Sequence, residues 1–210
     1  KYMDYNILIA FVFATTALAL SPGPDNIYVL TQSMVYGKRY GYITAAGLVA
    51  GCLVHTTLMA FGVSILIKNN PNIFFTIKFL GALYLFFLAF MVYKSDFSLE
   101  ITKEIGPKKG FWKLFGRGFL MNVLNPKVTL FFLAFFPTFL FSSFLNVIIQ
   151  FYALGLLFMA IAFVVFCGIA YFSGTLANIF SKHSKMTGIL KWVQIVVFVG
   201  IAVYILFSDK

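Results

Sequence analysis

Between Ile148 and Tyr171 the chain carries no charged residue, and its side chains are apolar on every side. A helix needs about 20 such residues to cross the hydrocarbon of a bilayer, rising about 1.5 Å per residue through a core about 30 Å thick. Strands of a membrane barrel would instead alternate polar and apolar residues over segments of about ten, and that alternation is missing here. The rest of the chain follows the same rule: 61% of its residues are hydrophobic and 10% charged, where a soluble domain has about a quarter charged. The chain therefore reads as an all-α membrane protein. Its net charge of +10 sits between long apolar runs rather than on a polar face, which argues against nucleic acid as a partner. Cys52 and Cys167 each lie inside an apolar run, which is no framework for a disulfide or a metal cluster.

Counting uncharged stretches predicts six transmembrane helices: Ile7 to Tyr36, Tyr40 to Ile67, Ile73 to Tyr93, Phe111 to Phe141, Leu145 to Phe172, and Ile189 to Phe207. The one polar linker, 94–110, holds Asp96, Glu100, Lys103, Glu104, Lys108 and Lys109 and divides the chain into a first repeat, 1–93, and a second, 111–210. Each half has three spans and opens with a long one interrupted by proline. Three being odd, two halves of one fold enter the membrane from opposite sides, the inverted-repeat plan of many secondary transporters. Eleven Lys and Arg flank the connections between spans one and two, three and four, and five and six, against four on the other side. The excess puts those connections in the cytoplasm and both termini outside. The first apolar run lacks the basic start of a cleavable signal.

The first and fourth spans are too long to be straight. From Ile7 to Tyr36 a helix would run about 45 Å against the core's 30 Å, and Ser21-Pro22-Gly23-Pro24-Asp25 breaks it. Pro22 and Pro24 remove amide donors and Gly23 adds freedom, so backbone groups lose helical partners at membrane depth and must face protein or water. Pro24 also starts a fresh helix whose free amides suit a carboxylate. Asp25 is the only acid between Asp4 and Asp96, and an intramembrane carboxyl is expensive unless it works or is paired. It reads as a proton or substrate carrier, or as a helix cap, a part that Asn26 could share. Asn125-Pro126-Lys127 is the second break. A lysine in the first turn of a half-helix opposes the dipole and calls for an anion, for which Asp25 is the candidate; the alternative is that Lys127 reaches for the head groups. Gly47, Gly51 and His55 share one face of the second span, the glycines for close helix packing and the histidine as proton relay or interhelical glue. Asn122, one turn before Pro126, lines the cavity or bonds the broken backbone.

The segments Ser21 to Asp25, Gly47-xxx-Gly51-xxx-His55 and Arg117-Gly-Phe-Leu-Met-Asn122-Val-Leu-Asn125-Pro126-Lys127 resemble the LysE/RhtB family of bacterial amino acid exporters, in order and spacing, over nearly the whole chain. The resemblance implies an inner-membrane exporter of amino acids or close derivatives, driven by the proton gradient. The Pro-Gly-Pro-Asp form resembles the branch that moves homoserine, threonine and other neutral amino acids. The expected partners are a neutral amino acid, the proton as coupling ion and the lipid bilayer, with no cofactor and no resident metal; small-residue stripes permit a homodimer without requiring one. A metal or other cation carrier of the same architecture is the alternative, though one His and one Asp in the spans are a thin ligand set. Catalytic motifs of intramembrane enzymes do not occur.

Overall fold

The computed structural model describes residues 3, 5–21, 23–63, 71–94, 110–175 and 184–207. Pro22, His183, most of the polar linker and both chain ends lie outside them. Every extended element described is helical: α1 Tyr5–Leu20, α2 Pro24–Tyr36, α3 Lys38–Leu58, α4 Pro71–Lys94, α5 Phe111–Val123, α6 Pro126–Phe135, α7 Val147–Tyr171 and α8 Ser184–Phe207. A π turn, Met59–Val63, extends α3, and a 3-10 turn, Phe136–Phe139, extends α6.

Local chemistry accounts for the boundaries. Pro24 and Pro126 occupy the opening turns of α2 and α6, where a missing N–H costs nothing and the ring presets the helical φ. Gly37 separates α2 from α3 at φ 97°, a left-handed conformation that side chains resist, while its N–H closes onto the Ser33 carbonyl at 3.0 Å. Pro137, which removes another donor, falls within the tighter 3-10 turn that ends α6. The final helix begins at Ser184 rather than Ile189, because the apolar count misses a polar first turn.

α3 is the hub, packed against α2, α5 and α7. The seam with α5 is very close. A Cβ at Gly47 would overlap the Phe115 carbonyl, one at Gly51 would lie 2.9 Å from Phe119 O, and one at Gly118 would lie 2.6 Å from Thr44 O. Only hydrogen at these positions allows the two backbones to touch. α1 packs on α7 and α8, and α4 on α8 and α6. Phe11, Phe131, Phe132, Phe135, Phe136 and Phe139 are fully buried in one cluster, with Phe132 and Phe136 stacked at 4.0 Å. Between α6 and α7, Gln150 clamps the turn: its carbonyl accepts from the Phe141 and Ser142 amides and its amide donates to Ser142 O and Leu145 O, all at 2.9 Å.

Among the described residues, α3 with its π turn and α7 are each long and apolar enough to cross a membrane. α1 and α2, joined at a 57° bend, make a third span if they count as one.

Candidate functional site

Two helix ends meet at the site, and each leaves polar backbone groups to be satisfied. α1 stops at Leu20, and Ser21 N–H folds back onto Ala17 O and Leu18 O at 3.0 and 3.2 Å. In an unbroken helix Leu18 O would take the N–H of residue 22, but proline has none. Two side chains serve this end instead. Asn26 donates its amide to Ala19 O at 2.8 Å, and the Lys127 ammonium donates to Ser21 O at 3.1 Å, Ser21 Oγ at 3.2 Å and Leu18 O at 3.5 Å. A cation at a helix C-terminus is favoured by the dipole as well as by the hydrogen bonds.

The second break is built the same way. Asn125 is the N-cap of α6, its carbonyl accepting from Lys127 N–H at 3.0 Å. Its amide donates across the site to Asp25 Oδ2, also at 3.0 Å. Asn122 O would have taken the N–H of residue 126, again a proline; it instead takes Asn125 N–H at 3.0 Å and lies 3.3 Å from His55 Nε2. The imidazole thus stands in for the donor that Pro126 lacks. Asn122 Oδ1 accepts from the Cys52 thiol at 3.6 Å, which ties the break to α3.

Asp25, Asn26, Asn122 and Lys127 line one small cavity of about 30 Å³, closed on the apolar side by Val128, Phe158 and Phe166 among others. Asn125 bridges its two charged residues. The carboxylate and the ammonium do not engage each other directly: Asp25 bonds to Asn125, and Lys127 to the end of α1. The anion expected beside Lys127 is replaced there by carbonyls. Lys127 is half-buried against the end of α1, its ammonium 5.8 Å from the Phe198 ring. His55 lies behind Asn122 against Phe132 and does not line the cavity. Gly23 is the N-cap of α2, where a Cβ would lie 3.5 Å from Lys127 Nζ; Pro24 and Pro126 open the two inner helices, and Pro22 lies outside the described residues. Gly47 and Gly51 belong to the α3–α5 seam.

Three oxygens on one face of α2 have no hydrogen-bond partner although buried: Asp25 Oδ1, Tyr28 OH and Gln32 Oε1. Buried polar atoms normally find partners, and of these three only Asp25 lines the cavity. Tyr28, Gln32 and Ser21 escape a reading of the sequence for charge, although positions 25, 28 and 32 carry the helical spacing that could have shown the stripe. Among the described residues no group of three His, Cys, Asp or Glu side chains could hold a metal ion.

A family model described as LysE type translocator matches residues 16–209. The uncharacterized membrane protein YrhP of Bacillus subtilis is 31% identical over 141 residues, covering 63% of this chain and 67% of its own length. The leucine efflux protein of Salmonella typhimurium is 30% identical over 144 residues, 66% of each chain. The chain spans about two thirds of the length of these relatives. No solved structure matches it. With a family match that takes in both breaks, the α3–α5 seam and the whole cavity, the chain belongs to the LysE type translocators.

Proposed function

We propose that this protein exports amino acids with uncharged side chains across the bacterial inner membrane, by antiport with protons. The observation that carries the reading is the pair of opposite charges, Asp25 and Lys127, held at two facing helix breaks around one cavity. A zwitterion needs an anion site and a cation site in surroundings otherwise too apolar to hold it. The free amides that open α2, where Gly23 offers no side-chain cap, suit the carboxylate together with Lys127. Asp25 and the carbonyls ending α1 suit the ammonium. With one acid and one base, the site is neutral before and after a zwitterion enters, which disfavours cargo with a charged side chain. The relatives named leucine efflux protein agree with that class.

The cavity holds about 30 Å³, room for about two waters, so the chain is closed around its site and cargo must enter through a rearrangement. Six spans in two inverted repeats supply one: the halves rock about a site at their interface. In favour of that layout, α1 packs on α7 and α5 on α3, contacts that exchange under a pseudo-twofold axis. Both termini then face outward. The Phe cluster of α1 and α6, continuous with Phe158 of the cavity wall, is the plug that must part on one side. Asp25 Oδ1 is the proton's seat, and the face of Tyr28 and Gln32 is a wet path to it.

Purified protein in vesicles, assayed with a panel of amino acids, tests the reading: a pH gradient should drive accumulation of neutral amino acids, and Asp25→Asn should abolish the dependence on the gradient. Transport indifferent to the gradient, or full gradient-driven transport by Asp25→Asn, refutes the coupling. Resistance to metal salts but not to toxic amino acid analogues, on expression in bacteria, would favour a cation carrier instead.

A further inference from the structure

We infer that the Lys127 ammonium is a built-in substitute for the cargo's own ammonium: between loads it occupies the carbonyl cage at the end of α1 that the substrate's amino group takes during export. The inference rests on the reading of the chain as an amino acid exporter and adds the group that closes the empty carrier.

Every hydrogen bond of Lys127 Nζ goes to the end of α1, to Leu18 O, Ser21 O and Ser21 Oγ. An alkylammonium has three donors and no acceptor, the same recognition chemistry as the amino group of an amino acid. The lysine is not placed for the sake of its own helix, since a cation in the first turn of α6 opposes that helix's dipole. Its position serves the end of α1, where the proline at residue 22 leaves the Leu18 carbonyl with only the Ser21 N–H of a tightened turn, at 3.2 Å, and where the Ser21 carbonyl is met by the Lys127 ammonium at 3.1 Å. At the edge of the same cavity Asp25 Oδ1 is buried and unpartnered. Lys127 does not use this acceptor, and an incoming ammonium would gain it in addition to the carbonyls, which gives cargo the advantage over the resident lysine. Once displaced, Lys127 has the cargo's carboxylate as its nearest new partner, beside the α2 amides.

One ammonium thus replaces another, and the carbonyls are never left bare. A carrier with neither would leave the Ser21 carbonyl without a donor and the Leu18 carbonyl with one bond fewer, a penalty that opposes the closed, empty state. Lys127 is therefore needed for the empty carrier to return, and less so for the loaded carrier to cross. Exchange of internal for external amino acid uses only loaded crossings, whereas net efflux requires the empty return.

The test compares both in vesicles with labelled amino acid. Lys127→Met, which fills the space without donors, should slow exchange about three-fold and net efflux about thirty-fold, a ten-fold change in their ratio. A ratio equal to that of the unsubstituted protein overturns the inference. So does an equal loss of both activities in a variant that elutes and unfolds as the unsubstituted protein does, because Lys127 would then act only at the carboxylate of the loaded carrier and not in the empty return. If Lys127→Met fails to fold, Lys127→Gln decides: its amide offers two donors in place of the ammonium's three and leaves the acceptors for cargo intact, so net efflux relative to exchange should fall about two-fold, and an unchanged ratio overturns the inference. Unsubstituted protein that neither exchanges nor exports any amino acid would refute the exporter reading instead, before the variants are compared.

Discussion

Truncating Asn125 should cost far more than the loss of a helix cap, and the chain contains its own control. Asn125 caps α6 through Lys127 N–H at 3.0 Å, and Asn146 caps α7 in the same manner through Ile148 N–H at 2.8 Å. Losing such a cap costs about 1 kcal/mol. Asn146 is exposed and does nothing else among the bonds of its side chain. Asn125 is buried and also donates to Asp25 Oδ2, whose partner oxygen already lacks a hydrogen bond. Removing that donor leaves a buried carboxyl with no side-chain partner, a further loss of about 1.5–3 kcal/mol for a bond to a charged group. Asn146→Ala should therefore lower the midpoint of thermal unfolding in detergent by roughly 2–4 °C, and Asn125→Ala by roughly 5–15 °C, at the 2–4 °C per kcal/mol expected of a chain this long. Asn125→Asp keeps the cap but turns a carboxylate toward Asp25, and should be worse than alanine at neutral pH. Combining Asn125→Ala with Asp25→Asn isolates the pair, and the double variant should recover part of the loss. Equal losses at Asn125 and Asn146 would refute the bridge as a stabilising contact.

Gly47→Ala should destabilise by about 1–3 kcal/mol, because the new methyl meets the Phe115 carbonyl rather than a movable side chain; Gly116→Ala, with nothing within 4 Å, should be neutral or stabilising, and thermal unfolding of the two reads the difference. His55→Leu should cost about 1–2 kcal/mol by removing the donor to Asn122 O, and adding Pro126→Ala, which restores a backbone N–H, should recover part of it by the same assay. Tyr28→Phe and Gln32→Leu delete oxygens that already lack protein partners, so each should raise stability by up to about 1 kcal/mol while slowing gradient-driven export in vesicles. Parallel loss of stability and transport in these two variants would argue against a hydrated path.

Much of this chain is written in one dimension. Uncharged runs of about membrane thickness, and the prolines that interrupt two of them, set where helices start and stop, because those limits depend on neighbours a few residues away. That is why α2 opens at Pro24 and α6 at Pro126, and why motifs around these breaks were enough to point to the LysE family. The start of α8 at Ser184 and the 3-10 turn at Pro137 were less legible, the first because its opening turn is polar, the second because one proline near a helix end reads as a simple stop.

Which groups satisfy each break is a tertiary matter. Charge alone nominates Asp25 as the partner of Lys127, yet the ammonium lies on carbonyls of α1 and an asparagine a hundred residues from Asp25 takes its carboxylate. A histidine on α3 supplies the donor that Pro126 lacks. Proline placement dictates that backbone oxygens will be orphaned; only the crossing of the two broken helices, set by the glycine seam of α3 and α5, decides whose hydrogens reach them. The physical reason is range: a helix break is a local consequence of covalent geometry, whereas its repair depends on distances of about 3 Å between segments that the sequence holds far apart.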